Sequence, residues 1–178
     1  RWEKMTPQDM QTMKDNGAIF IDRKAVRGYG ETTVDWRMIL SKGIGAIRDE
    51  AKEKLAALDD SVPGDLEKSF FYRSEIIAAD AVIHLAHRHA DLAEQQAAAC
   101  TDEKRKAELL KIAEVNRHVP EFPARNLYEA MQSLLTYEYA CFMEQNASSY
   151  NIGRLDQYFY PYYKADKEAG IITGDEAQ

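Results

Sequence analysis

The chain has 178 residues, with 23 Lys and Arg against 30 Asp and Glu, a net charge of −7 and a pI near 5.2. Hydrophobic residues make up 45% and charged residues 30%, ordinary for a globular domain, and the acidic balance excludes a general nucleic-acid binder, which needs a basic face to release phosphate counterions. No apolar run approaches the roughly 20 residues of a membrane span and no basic-then-apolar leader opens the chain, so a cytoplasmic protein without a membrane partner is expected.

Thr6-Pro7-Gln8-Asp9 predicts a short helix, from its cap residue, its Pro in the first turn and its early acid. Asn16-Gly17 stops it, Ala18-Ile19-Phe20-Ile21 reads as a short strand, and residues 22–33 read as an irregular loop through Arg27-Gly28-Tyr29-Gly30. Trp36, Leu40, Ile44, Ile47, Ala51, Leu55 and Leu58 recur at spacings of three or four, predicting one amphipathic helix that Gly43 and Gly45 weaken. Asp59 to Asp65, with Pro63-Gly64, is a break. A long helix from about Leu66 to Ala99 follows, with Phe70, Ile77, Ala81, Leu85 and Leu92 expected on its core face.

Thr101-Asp102-Glu103 restarts helix with acid at its positive end, and Val119-Pro120 ends it. Pro123 opens a helix carrying Leu127, Met131, Leu134, Cys141 and Phe142, with Glu138 on the same apolar face. From Asn146 to Gly153 the period is lost, and the aromatic segment Leu155 to Tyr163 leads into a last helix. The fold class read from this is mainly α, with little strand. Thr173 and Glu176 form a capping box at the end of a chain that starts at Arg1 without Met, so a longer protein is expected.

Several features bear on chemistry. Cys100 and Cys141 have neither disulfide-framework nor metal-ligand spacing. His84, His87 and His89 lie on one helix without a matching carboxylate pair, so surface or partner contacts are expected and no metal. Glu138 is a candidate buried carboxylate, expected to pair with an Arg or to lie at the edge of its stripe. The aromatics from Tyr158 to Tyr163 lack the basic residues that base stacking would need, so helix packing with hydrogen-bonded phenols is expected. Two polar turns can hold a ligand: Arg27 to Glu31, where Arg27 suits an anion, and Asn146 to Asp156, which offers Asn151, Gly153, Arg154 and Asp156. Spacing alone assigns neither a reaction.

Three strings carry a family resemblance. They are Pro123-Ala-Arg-Asn-Leu-Tyr-Glu-Ala-Met-Gln132, Glu144-Gln-Asn-Ala-Ser-Ser-Tyr-Asn-Ile-Gly-Arg-Leu-Asp-Gln157 and Tyr160-Pro-Tyr-Tyr-Lys-Ala-Asp166. Together they resemble the pyruvate formate-lyase-type domain of the glycyl radical enzymes, and Thr33-Val34-Asp35-Trp36-Arg37-Met38 resembles that family's Asp-aromatic helix start. The resemblance spans about residues 30–178 and implies a helix-rich fragment of that family's α/β barrel: one truncated domain over 1–178, with an incoming segment at 1–32 and a helical portion at 33–178.

Such enzymes store a radical on a glycine in an Arg-Val-x-Gly-Tyr loop and pass it to a cysteine in a Gly-Cys-x-Glu loop, whose thiyl takes a hydrogen atom from the substrate. Neither cysteine here stands in that loop, and Val26-Arg27-Gly28-Tyr29 only imitates the glycyl motif in altered order. The resemblance therefore implies no catalytic residue and no cofactor within this chain, which would be inert alone. The full-length parent would carry the glycyl radical, installed by a radical-SAM activating enzyme, act on a small molecule, and form a homodimer. Met38 in place of a second Arg, and the form Gly153-Arg-Leu-Asp-Gln157, resemble the dehydratase, decarboxylase and lyase branch rather than pyruvate formate-lyase proper. Gly30-Glu31 departs from the Gly-His of glycerol and diol dehydratases. Substrate-side candidates are Arg27, Glu31, Asn151 and Asp156; the alternative is a non-catalytic helical scaffold derived from the same domain.

Overall fold

A computed structural model describes residues 6–17, 32–59, 61–146 and 150–175. The expected strand at 18–21, and the loop bearing Arg27 and Glu31, lie outside the described residues. The elements run α1 (Pro7–Asp15), β1 (Thr32–Thr33), α2 (Trp36–Lys42), α3 (Ile44–Ala56), α4 (Asp65–Ala99), α5 (Glu103–His118), α6 (Leu127–Gln145), β2 (Tyr150–Asn151) and α7 (Leu155–Glu168). Helix dominates, as the periodicity predicts. The two short strands, one of them inside the segment expected to be loop, pair with each other in parallel.

Local chemistry sets the helix starts. Thr6 and Asp9 form a reciprocal capping box on α1. Asp35, Asp102 and Asn126 accept backbone N–H bonds at the starts of α2, α5 and α6. The start of α6 at Leu127, later than the expected Pro123, follows from that Asn126 cap. Its first turn has a second anchor, since Asp166 of α7, buried, accepts from the Leu127 N–H at 2.7 Å.

The single helix expected over Trp36 to Leu58 is two helices. Gly43 adopts φ +78°, and a Cβ there would lie 2.3 Å from the Glu121 carbonyl oxygen. The 119–124 turn docks into the break: Ile44 and Gly45 N–H donate to the Pro120 and Glu121 carbonyls at 2.8 and 2.9 Å, and Ala124 N–H donates to the Leu40 carbonyl at 3.0 Å. These bonds satisfy the orphan donors at the start of α3. Arg48 ties the same junction, reaching Glu121 at 3.2 Å, Asp80 of α4 at 3.4 Å and Asp49 at 2.9 Å.

α4 packs along both α3 and α5. Its core side is Ala79, Ile83, Ala86, Ala90, Ala93 and Ala97, whereas Phe70, Ile77 and Leu92 of the expected core face are more than half exposed. Alanines win the interior position because small side chains let long helices approach closely, so the larger residues turn outward. α6 departs from its expected face in the same way. Glu129, Ala130, Ser133, Thr136 and Glu138 are buried, while Tyr128, Met131, Leu135, Tyr139 and Phe142 form an exposed apolar stripe. The main core gathers Trp36, Ile39, Ile44, Ala79 and Ile83, with Leu134, Tyr137 and Tyr158 packed against it. Each of its isoleucines contributes about 2 kcal/mol by burial.

Candidate functional site

The parallel pair β1–β2 organises the site. Thr32 stands opposite Tyr150 and Thr33 opposite Asn151, so the segment directly following Glu31 lies beside the second polar turn. Thr32–Thr33 and Tyr150–Asn151, distant in sequence, thus meet in one small sheet at the second polar turn. The helices that frame it meet there too. Arg37 of α2 donates from Nη2 to Gln157 Oε1 at 3.5 Å, and its guanidinium lies 5.9 Å from the centroid of the Tyr158 ring of α7.

The turn is built by short-range polar bonds. Asn146 closes α6 in the left-handed region at φ 47°. Asn151 Oδ1 accepts from the Gly153 N–H at 2.8 Å, an Asx-type closure. Gly153 has φ +70°, with the Tyr158 hydroxyl 3.0 Å from where a Cβ would stand. Asp156 opens α7 and receives Arg154 through two bonds of 3.1 and 3.2 Å. Hydrogen bonding from Arg154 holds the Asp156 carboxyl below the usual range, though both side chains are exposed and the pair adds little stability.

Below the turn lies an aromatic and thiol cluster. Tyr150 donates its hydroxyl to the Cys141 carbonyl at 2.9 Å, and its ring meets Phe142 edge-on at 4.8 Å. Tyr137 meets Trp36 edge-on at 5.5 Å. Burial pushes the Tyr137 phenol up to about 12 and raises the Cys141 thiol. Glu138, expected beside an Arg or at an edge, is instead buried with an unpaired Oε1. Tyr150 was not singled out by the sequence, because one tyrosine in a polar stretch carries no periodicity.

Of the four candidate residues, the structure describes Asn151 and Asp156, both exposed on the turn; Arg27 and Glu31 lie outside the described residues. No group of three metal-ligating side chains occurs among the described residues. His84 and His89 are exposed, and His87 Nε2 lies 3.5 Å from Glu121 Oε2. The aromatic segment packs as expected, with Tyr162 donating to the Leu40 carbonyl at 3.1 Å and Lys167 donating to the Tyr163 hydroxyl at 3.1 Å. Cys100 caps the end of α4 and Cys141 lies within α6.

The whole chain, residues 1–178, matches the family described as pyruvate formate lyase-like. It belongs to that family. Among the family's glycyl radical enzymes, an isethionate sulfite-lyase of Bilophila wadsworthia is 44% identical over 144 residues, covering 80% of this chain and 17% of that protein. A trans-4-hydroxy-L-proline dehydratase of Clostridioides difficile is 32% identical over 98% of this chain and 22% of its own length. The solved structure concerned with 1,2-propanediol dehydration in Roseburia inulinivorans superposes with a TM-score of 0.81 at 34% identity, over 96% of this chain and 20% of that one. The chain thus spans about a fifth of the length of the glycyl radical enzymes it matches. These similarities lie in the lyase and dehydratase branch of the family, and the helices described above correspond to a helical part of such barrels.

Proposed function

We propose that this chain forms one helical wall and two substrate-side turns of an anaerobic, cytoplasmic glycyl radical lyase acting on a small organic anion. The observation that carries the reading is the β1–β2 register, which sets the strand after Glu31 against Tyr150 and Asn151. In this reading Arg27 pairs with the anionic group of the substrate, while Glu31, Asn151 and Asp156 supply hydrogen-bonding groups around it. A sulfonate is the anion to test first, given the identity to isethionate sulfite-lyases.

The reacting cysteine and the radical glycine are assigned to the remainder of the enzyme, together with an iron–sulfur activating enzyme as partner and a homodimeric assembly. The 178 residues by themselves are then inert. The exposed stripe of α6, Tyr128, Met131, Leu135, Tyr139 and Phe142, is assigned to contact with that remainder. Its extent suits a surface covered within a barrel several times longer.

Anaerobic activation of the full-length enzyme, with sulfite release from isethionate as the readout, tests the reading. Turnover is expected, together with a KM that rises at least tenfold in Arg27→Gln. A full-length protein that forms no glycyl radical on activation overturns it, and an unchanged KM in R27Q removes Arg27 from the site.

A further inference from the structure

A helix carries one apolar stripe for each surface it buries. α4 carries two. Ala79, Ile83, Ala86 and Ala90 lie on its core side. Leu66, Phe70, Ile77 and Ala81 recur at intervals of four, seven and four, which is a single face at about 100° per residue. That face lies half a turn round the helix from the first. Its three large residues are 57%, 61% and 69% exposed, so among the described residues nothing covers it.

This second face is turned away from the sheet. Leu134 and Tyr137 of α6 pack on the cluster that holds Ala79 and Ile83, on the core side of α4. Tyr150 of β2 is fastened to α6 in turn, its hydroxyl donating to the Cys141 carbonyl at 2.9 Å. The sheet and the exposed stripe of α6 therefore lie on one side of α4, and the Leu66–Ala81 face on the other.

Charges flank the face in a pattern that complements its own reversal. Arg73 and Asp80 line one edge and Glu67 and Arg88 the other, all four exposed. Arg73, Glu67 and Arg88 make no ion pair among the described residues, and Asp80 meets Arg48 at 3.4 Å through Oδ1.

We propose that the Leu66–Ala81 face of α4 is the centre of the homodimer interface, with two copies of the helix packed antiparallel about a two-fold axis at Ile77. The proposal names the surface for the homodimer assigned above and rests on that assignment. An antiparallel two-fold pair sets each edge of the face against the same edge of the second copy. Arg73 then meets Asp80 of the second copy and Glu67 meets its Arg88, each within one residue's rise of about 1.5 Å. Phe70 falls on the small Ala81 and on His84. A parallel pair would set Arg73 against Arg73 and Phe70 against Phe70. The apolar stripe supplies the affinity, and the flanking charges fix direction and register.

The test uses the full-length enzyme in sedimentation. Phe70→Glu combined with Ile77→Glu is expected to raise the dimer dissociation constant at least about 100-fold and to leave a folded monomer. Both side chains are exposed in the subunit, so the substitutions act on the contact. Ile77→Cys, on the axis, is expected to join two subunits through bismaleimidoethane, with the 77–77 linked peptide found by mass spectrometry. Phe71→Cys is the control, since Phe71 is 64% exposed but lies on another side of α4. A dimeric I77C that forms no 77–77 link overturns the proposal, as does F70E/I77E that stays dimeric. If F70E/I77E fails to fold, the 77–77 link alone decides. A wild type that sediments as a monomer removes the homodimer itself, whereas a dimer without the link removes only this face.

Discussion

Thr33 stands directly opposite Asn151 in a parallel two-strand ladder, although the two come from distant parts of the chain. A parallel pair cannot be closed by a hairpin, and here the whole run from α2 to α6 serves as the crossover. The strands are only two residues long, so their register depends on the packing of the helices beneath more than on the ladder itself. That packing comes from Trp36, Leu134, Tyr137 and Tyr158, drawn from the elements on either side of the strands.

The register has a direct test. Neighbouring strands lie about 4.8 Å apart, within the Cα range that a disulfide spans. A T33C/N151C pair, in a background with Cys100 and Cys141 replaced by Ser, is expected to crosslink on mild oxidation. Non-reducing mass spectrometry reads the bond, and a shifted control pair such as T33C/I152C is expected to crosslink less. Equal crosslinking of both pairs contradicts the register.

Much of this was legible in the sequence, and the parts that were not share a cause. Helix caps at Thr6, Asp35 and Asp102 are local, so short-range chemistry reveals them. Which face of a long helix points inward is a tertiary decision. In α4 the interior took Ala86, Ala90 and Ala93 over Phe70 and Ile77, because the neighbouring helix comes close. Periodic large hydrophobics therefore marked a real face but the wrong side of it. The second polar turn was visible as composition; its pairing with Thr32–Thr33 was not, since pairing across the crossover leaves no local trace. Glu138 was visible as an acid on a stripe, but whether an Arg reached it depended on side chains far away in the chain.

Gly43 gives a second test. Its positive φ and the 2.3 Å approach to the Glu121 carbonyl leave no room for a side chain. Replacing it with Ala forces either the backbone angle or the docked 119–124 turn to give way, and breaks the bonds from Ile44 and Gly45. A loss of about 3 kcal/mol or more is expected in chemical denaturation. Gly64, with a positive φ but open space, is the control: Gly64→Ala is expected to cost only about 1 kcal/mol.

A pH-dependent test concerns Glu129. Its side chain is fully buried; burial pushes its carboxyl up, and bonds from the Arg125 side chain and N–H more than offset this, leaving it below the usual carboxylate range. The Arg125 N–H donates to Oε2 at 2.8 Å and Nε to Oε1 at 2.9 Å. A carboxyl whose folded value is depressed stabilises the fold above its unfolded value, near 4.5, and that contribution fades as pH falls through the folded value. Glu129→Gln is expected to cost about 2 kcal/mol near neutral pH, since Arg125 is itself half exposed. The difference from wild type is expected to shrink steadily below pH 4.5 in a denaturation series. A constant difference across that range would mean that charge contributes nothing and only shape matters.

The exposed stripe of α6 gives the last test, because the proposed enzyme reading makes its cost depend on chain length. Leu135 is 46% exposed in these 178 residues. Leu and Glu are both good helix formers, so Leu135→Glu is expected to change the stability of this chain by no more than about 0.5 kcal/mol. If the remainder of a barrel covers the stripe, the same substitution in the full-length enzyme buries a carboxylate among apolar groups. A cost of about 2 kcal/mol or more then follows, with a lowered Tm. Comparing the two unfolding experiments isolates what covers the helix, since the local effects on α6 cancel between them. Equal and small effects in both lengths would leave the stripe facing solvent and remove the assigned contact.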